Sequence, residues 1–119
     1  MTITLYGIAN CDTVKKARTW LAAEGFAFAF HDFKRDGLSP ALLGEWLRSV
    51  EWERLLNRKG TTWRRLDDAA RASVTDAGSA CALMLAQPSL VKRPVVRWAD
   101  ASISVGFDPA HFAQMSRRR

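Results

Sequence analysis

Residues 5–21, LYGIANCDTVKKARTWL, read as the end of a strand, a tight turn, a lone cysteine and the start of a helix, an order that limits the rest of the chain more than any other feature. Ile3, Leu5 and Tyr6 suit a short buried strand, Gly7 permits an unusual backbone angle, and Asn10 is placed to cap a helix beginning at Cys11. Val14, Ala17, Leu21 and Ala22 then share one helical stripe, with Lys15, Lys16, Arg18 and Thr19 on the other side. Such a helix packs on a sheet and carries Cys11 at the end where unpaired amides point.

A thiol there has a physical reason to ionise. First-turn amides and the positive end of the helix dipole favour the thiolate, which brings a free-thiol pKa of ~8.5 down to roughly 3.5–7.5 at sites of this kind. Lys15 and Lys16, early in the helix, can pull further on the thiolate or on a bound oxyanion. The competing reading is a small buried cysteine beside a solvated lysine face, which suits an arbitrary cysteine. The strand, turn and cap around Cys11 favour the reactive reading. Cys81 lies in the near-continuous apolar run SACALMLAQ, where a neutral core cysteine is expected. The two are not expected to pair.

At 119 residues and 48% hydrophobic content the chain has material for one core, so a single domain over residues 1–119 is expected. No apolar run approaches the ~20 residues of a membrane span, and Met1–Tyr6 leads into a strand without a basic start or cleavage site. The expectation is a cytoplasmic monomer away from the membrane. In that reducing compartment two cysteines 70 positions apart are too few for a disulfide framework, and a lone reactive one is more often catalytic. His31 and His111 stand far from each other and from any cysteine cluster, so neither a metal site nor a bound cofactor is expected. Three of the +6 net charges come from Arg117, Arg118 and Arg119, in a frayed tail over 116–119. Without a helix-turn-helix, an RNA-binding aromatic signature or a glycine-rich phosphate loop, that charge does not make a nucleic-acid partner.

Beyond the first helix, Gly25 ends a turn and FAFAFHDF forms a strand apolar on both faces, the kind found in sheets covered on both sides. A strand-helix-strand opening implies parallel pairing. His31 and Asp32 close the strand as polar end residues. Ser39-Pro40 starts a helix with Leu43, Trp46, Leu47 and Val50 facing the core, and Trp52, Leu55 and Leu56 extend the stripe to the basic loop Asn57-Arg58-Lys59-Gly60. Thr61 and Thr62 can cap the next turn, 66–75 reads as a brief helix, and Asp76 or Ser79 begins the apolar helix that Pro88 ends. Residues 88–105 turn valine-rich and alternating, as in an antiparallel hairpin about Ala99-Asp100. Asp108-Pro109 opens a last helix with Phe112 and Met115.

Removing the helical insertion, about 34–88, leaves an α/β thioredoxin-like fold with a four-stranded mixed sheet. That architecture sets its active cysteine at the first helix, beside a proline preceding the third strand. Arg93-Pro94 stands at the matching point, with its cis or trans state open.

With Cys11, LLNRKGTTWR and QPSLVKRPVV in this order, the chain resembles the arsenate reductase (ArsC) family, including its Spx-like branch, over nearly its full length. GIANCDTVKKA and LLNRKGTTWR bring it nearest the YffB-type, arsenate-reductase-related subgroup. The resemblance implies a cysteine nucleophile at Cys11, glutathione as the resolving thiol, glutaredoxin completing the cycle, and oxyanion-holding arginines at Arg58 and Arg93. It departs in two places. The arsenate reductases have a third arginine beyond the hairpin where this chain reads VGFDPA, and Spx-type regulators have a second cysteine where this chain has Val14.

The arginine chemistry also stands by itself, since guanidinium groups stay charged and bind carboxylates or oxyanions through paired donors. Three functions fit: a glutathione-linked thiol reductase acting on a small anionic or glutathionylated substrate, an arsenate reductase with a rearranged anion site, and a non-enzymatic Spx-like partner of RNA polymerase. The first is the expectation, with Cys11 as nucleophile, Asn10, Lys15, Lys16, Arg58 and Arg93 binding the anion, and Pro94 shaping the site.

Overall fold

The computed structural model describes residues 2–117. The chain divides into two compact units, one running through Gly37 and resuming at Arg93, the other spanning Leu38–Lys92. The inserted unit thus begins and ends about four residues later than the sequence suggested.

In the first unit, β1 (Ile3–Gly7), α1 (Asp12–Ala23) and β2 (Phe28–Asp32) form the opening motif, followed by one turn of helix, α2 (Phe33–Asp36). The chain returns as β3 (Val95–Arg97), β4 (Ile103–Val105) and a closing helix (Pro109–Ser116). The strands make one sheet in the order β2-β1-β3-β4. β1 pairs in parallel with β2, Leu5 opposite Phe30, and antiparallel with β3, Leu5 opposite Val96; β3 and β4 form the expected hairpin. This is the thioredoxin-like mixed sheet.

One face of that sheet carries the core. Ile3 and Leu5 from β1, Val96 and the buried Trp98 meet Val14, Ala17 and Leu21 from α1 and Phe112 and Met115 from the closing helix. Trp98 donates its indole N–H to Ser104 at 2.8 Å, so the buried Ser104 hydroxyl is paired.

Two readings of the sequence change here. β2 is an edge strand, and none of its residues is fully buried. Its alternating Phe and Ala are accommodated by other means: the Arg18 guanidinium lies 4.2 Å above the Phe30 ring. Arg35, paired with Asp36, donates to the Phe30 carbonyl at 2.9 Å and so occupies an edge group that would otherwise invite another strand. Gly7, for its part, is not in the left-handed region. A Cβ there would sit 2.7 Å from Cγ2 of Val14, so the glycine lets α1 lie against the strand.

The second unit holds α3 (Pro40–Leu47), α4 (Trp52–Leu55), α5 (Thr61–Arg65), α6 (Asp68–Ala72), α7 (Ala77–Ala86) and a 3-10 turn (Pro88–Leu90), so the closing helix is α8. Leu43, Trp46, Val50, Leu55 and Leu56 are buried as their spacing predicts. Ser39 caps α3 and Asp76, rather than Ser79, caps α7, with Ser79 returning a bond in a capping box. Neither Thr61 nor Thr62 caps a helix; Gly60 is the N-cap of α5, and Asp67 caps the shorter α6. In place of a frayed end, Ser116 closes α8 and Arg117 is its C-cap; the rest of the basic tail, Arg118 and Arg119, lies outside the described residues.

Substituting Gly7→Ala is expected to cost about 1–3 kcal/mol, the usual penalty for overpacking a tight core. Urea unfolding measures it, and Val14→Ala in the same chain should recover part of the loss because it removes the colliding methyl groups. Strict additivity of the two substitutions would contradict the packing account.

Candidate active site

Cys11 is itself the N-cap of α1, with extended backbone at φ −91° and ψ 125°. Its carbonyl accepts the Lys15 N–H at 2.9 Å, while its own N–H turns back to the Ile8 carbonyl at 3.2 Å. Asn10, expected to be the cap, is an exposed residue of the preceding turn. The displacement by one residue brings the sulfur closer to the helix mouth than the sequence implied, because the cap side chain is the one that overhangs the free amides.

The thiol is half-buried, and burial is the largest single influence, pushing its pKa up. The N–H of Val14, the hydrogen bond and charge of Arg93, and the N–H of Thr13 together outweigh it, so the thiol ionises below its ordinary value. The interaction of the two amides with the sulfur strengthens once the sulfur is charged. Sequence spacing implied the helix end; it did not single out Thr13 and Val14, whose part is played by backbone.

Arg93 reaches the sulfur because β3 starts beside the end of β1, with Val95 opposite Tyr6. The Arg93-Pro94 peptide is cis, and the Pro94 carbonyl accepts the Gly106 N–H at 2.8 Å, tying the residue to the end of β4. Lys15 and Lys16 lie on the exposed side of α1, and the cation that acts on the thiol is Arg93.

Arg58 belongs to the inserted unit. Its guanidinium lies 5.7 Å from the Trp52 ring centre, and it lines a small pocket of ≈ 140 Å³ with Lys59, Lys92 and the single carboxylate of Glu53. That loop is held by Asn57, whose N–H donates to the Leu90 carbonyl at 2.7 Å and whose side chain accepts the Lys59 N–H at 3.1 Å. Cys81 is not a core residue as expected: it is half-buried on α7, and partial burial alone pushes its thiol up. Among the described residues, no group of three or more His, Cys, Asp or Glu side chains could hold a metal ion, and no helix is long and apolar enough to cross a membrane.

The ArsC family model matches residues 6–115. The chain belongs to the ArsC family. Its fold superposes on the solved YFFB (PA3664) protein with a TM-score of 0.90, at 46% identity over 96% of this chain and 98% of that one. An arsenate reductase (ArsC) related protein from Brucella melitensis is 52% identical over 96% and 93% of the two chains, with a TM-score of 0.76. An uncharacterised protein of Haemophilus influenzae is 38% identical over 92% of this chain and 95% of its own length. These likenesses make this an arsenate-reductase-related ArsC protein.

Timed alkylation at neutral pH, read by mass spectrometry, should label Cys11 at least about tenfold faster than Cys81, since thiolate fraction sets the rate. Equal labelling would remove Cys11 from the role. Arg93→Ala should raise the midpoint of the thiolate absorbance titration and slow alkylation about three- to tenfold, a solvated share of the ~1.5–3 kcal/mol of a charge-assisted bond. Because the folded thiol titrates below the unfolded one, its contribution to stability is present above the unfolded pKa and is lost as pH falls through the folded value. Wild type should therefore gain stability over Cys11→Ser as pH rises.

Proposed function

We propose that this ArsC protein is a thiol-dependent reductase in which the Cys11 thiolate is the nucleophile and glutathione, from outside the chain, is the resolving thiol. The observation that carries this reading is a thiol whose ionisation is favoured by helix amides and a guanidinium despite partial burial. Structural cysteines have no use for that arrangement.

In the exchange, the Cys11 thiolate attacks the glutathione sulfur of a mixed disulfide, a new sulfur–sulfur bond forms to Cys11, and the substrate sulfur leaves as a thiolate. A second glutathione thiolate then attacks the adduct, releases oxidised glutathione and restores Cys11. For each mixed disulfide one free glutathione thiol is consumed and one substrate thiol is released, and both glutathione sulfurs end in oxidised glutathione. The carboxylates of glutathione suit Arg93, Lys15 and Lys16. The position three residues after Cys11 is Val14, so this turn of α1 supplies no second thiol of its own.

The family name makes arsenate the alternative substrate. Residues 105–110, VGFDPA, contain no arginine to help hold an arsenate oxyanion. Activity with arsenate, glutathione and glutaredoxin is expected to be weak beside that on glutathione mixed disulfides. Incubation with oxidised glutathione should give one adduct per chain, mapped to Cys11 and cleared by glutaredoxin. An internal disulfide between Cys11 and Cys81, or no adduct at all, would overturn the reading.

A further inference from the structure

Along the exposed side of α1 runs an open groove of ≈ 450 Å³ that begins one helical turn beyond Cys11. Its floor is apolar, made by Trp20, Ala23 and Phe107, and its rim carries Lys15, Lys16 and Thr19. The floor is firm. Trp20 stands edge-on to Phe112 at 5.6 Å between ring centres, Phe107 meets the same ring edge-on at 4.8 Å, and Phe112 is fully buried. Trp20 and Phe107 remain half-exposed, in a patch with cations on its rim and no carboxylate in its lining.

We propose that this groove docks a partner protein segment with an apolar anchor flanked by carboxylates, so that the sulfur presented to Cys11 is carried by a protein; the inference deepens the reductase reading and rests on it. Charge complementarity identifies the occupant. A second copy of this chain, at net charge +6, would set Lys15 and Lys16 against themselves in a symmetric pair. A free small anion has no use for the aromatic floor. An acidic segment with a leucine or phenylalanine anchor satisfies both the floor and the rim. In the step this permits, the Cys11 thiolate takes the glutathione sulfur from a glutathionylated protein cysteine, the protein leaves as its thiolate, and a second glutathione frees Cys11 as oxidised glutathione.

The test uses three short peptides, each with one glutathionylated cysteine: one with leucine and glutamates, one with leucine and lysines, one with serine and glutamates. The first should be cleared about tenfold faster than the second and about fivefold faster than the third, from two rim pairs and one buried anchor. Ala23→Glu, about 18 Å along the helix from Cys11 at 1.5 Å per residue, should abolish that preference while leaving exchange with oxidised glutathione unchanged. In Cys11→Ser, the first peptide with serine for its cysteine should shift the Trp20 indole N–H resonance. Equal rates for the three peptides with no such shift would overturn the groove, as would self-association that the peptide reverses. The shift without any exchange would keep the groove and remove the reductase reading.

Discussion

The pairing of Tyr6 with Val95 across β1 and β3 is the constraint on which the site depends. It fixes where β3 begins relative to where β1 ends, and so brings two residues 82 positions apart in sequence, Cys11 and Arg93, to the same end of the sheet. A slip of one residue would turn Val95 and Val96 to the wrong faces and carry Arg93 away from the sulfur. Hydrophobic burial resists that slip, since both valines are fully buried. The energy that sets the register is therefore packing energy, and the electrostatics of the thiol are a consequence of it.

Within the site, opposed effects of similar kind decide the charge of the sulfur. Partial burial withdraws water from a thiolate and favours the neutral form, while the same withdrawal strengthens the pull of Arg93 and of the Thr13 and Val14 amides. A fully exposed sulfur would escape the first effect and lose most of the second. A fully buried one would pay too much for ionising. Half-burial at the mouth of α1 keeps the sulfur reachable by another sulfur and still within the field of its donors.

Much of this was legible in the sequence, for identifiable reasons. The apolar residue types of Ile3, Leu5 and Tyr6 mark a buried strand, and the three- and four-residue spacing of Val14, Ala17 and Leu21 encodes which helix face is buried, so the opening motif and its helix are local information. The hairpin and the site of Pro94 follow from valine-rich alternation and the order of elements. What failed was information that depends on neighbours. Phe28, Ala29 and Phe30 look like a central strand by composition, and only the sheet order, with Arg35 placed on the outer carbonyl of Phe30, makes them an edge. The role of Gly7 concerns the distance to a side chain seven positions on, and the cap shift from Asn10 to Cys11 turns on which carbonyl Lys15 N–H finds. The apolar groove was missed because Phe107 belongs to a loop and joins Trp20 only through their shared packing on Phe112.

Val14 ties the packing to the chemistry. Its side chain is fully buried against the core and so near Gly7 that no Cβ fits between them, while its backbone N–H points at the sulfur of Cys11. One residue thus sets the height of α1 above the sheet and supplies a donor to the thiolate. Whatever lifts the helix from β1 also moves that donor and Thr13 relative to the sulfur, so stability and nucleophilicity are not independent here. The same geometry accounts for the lack of a second thiol in this turn. The side chain three residues after Cys11 faces the core and not the solvent-accessible sulfur, and the volume Val14 fills there is needed to seat the helix.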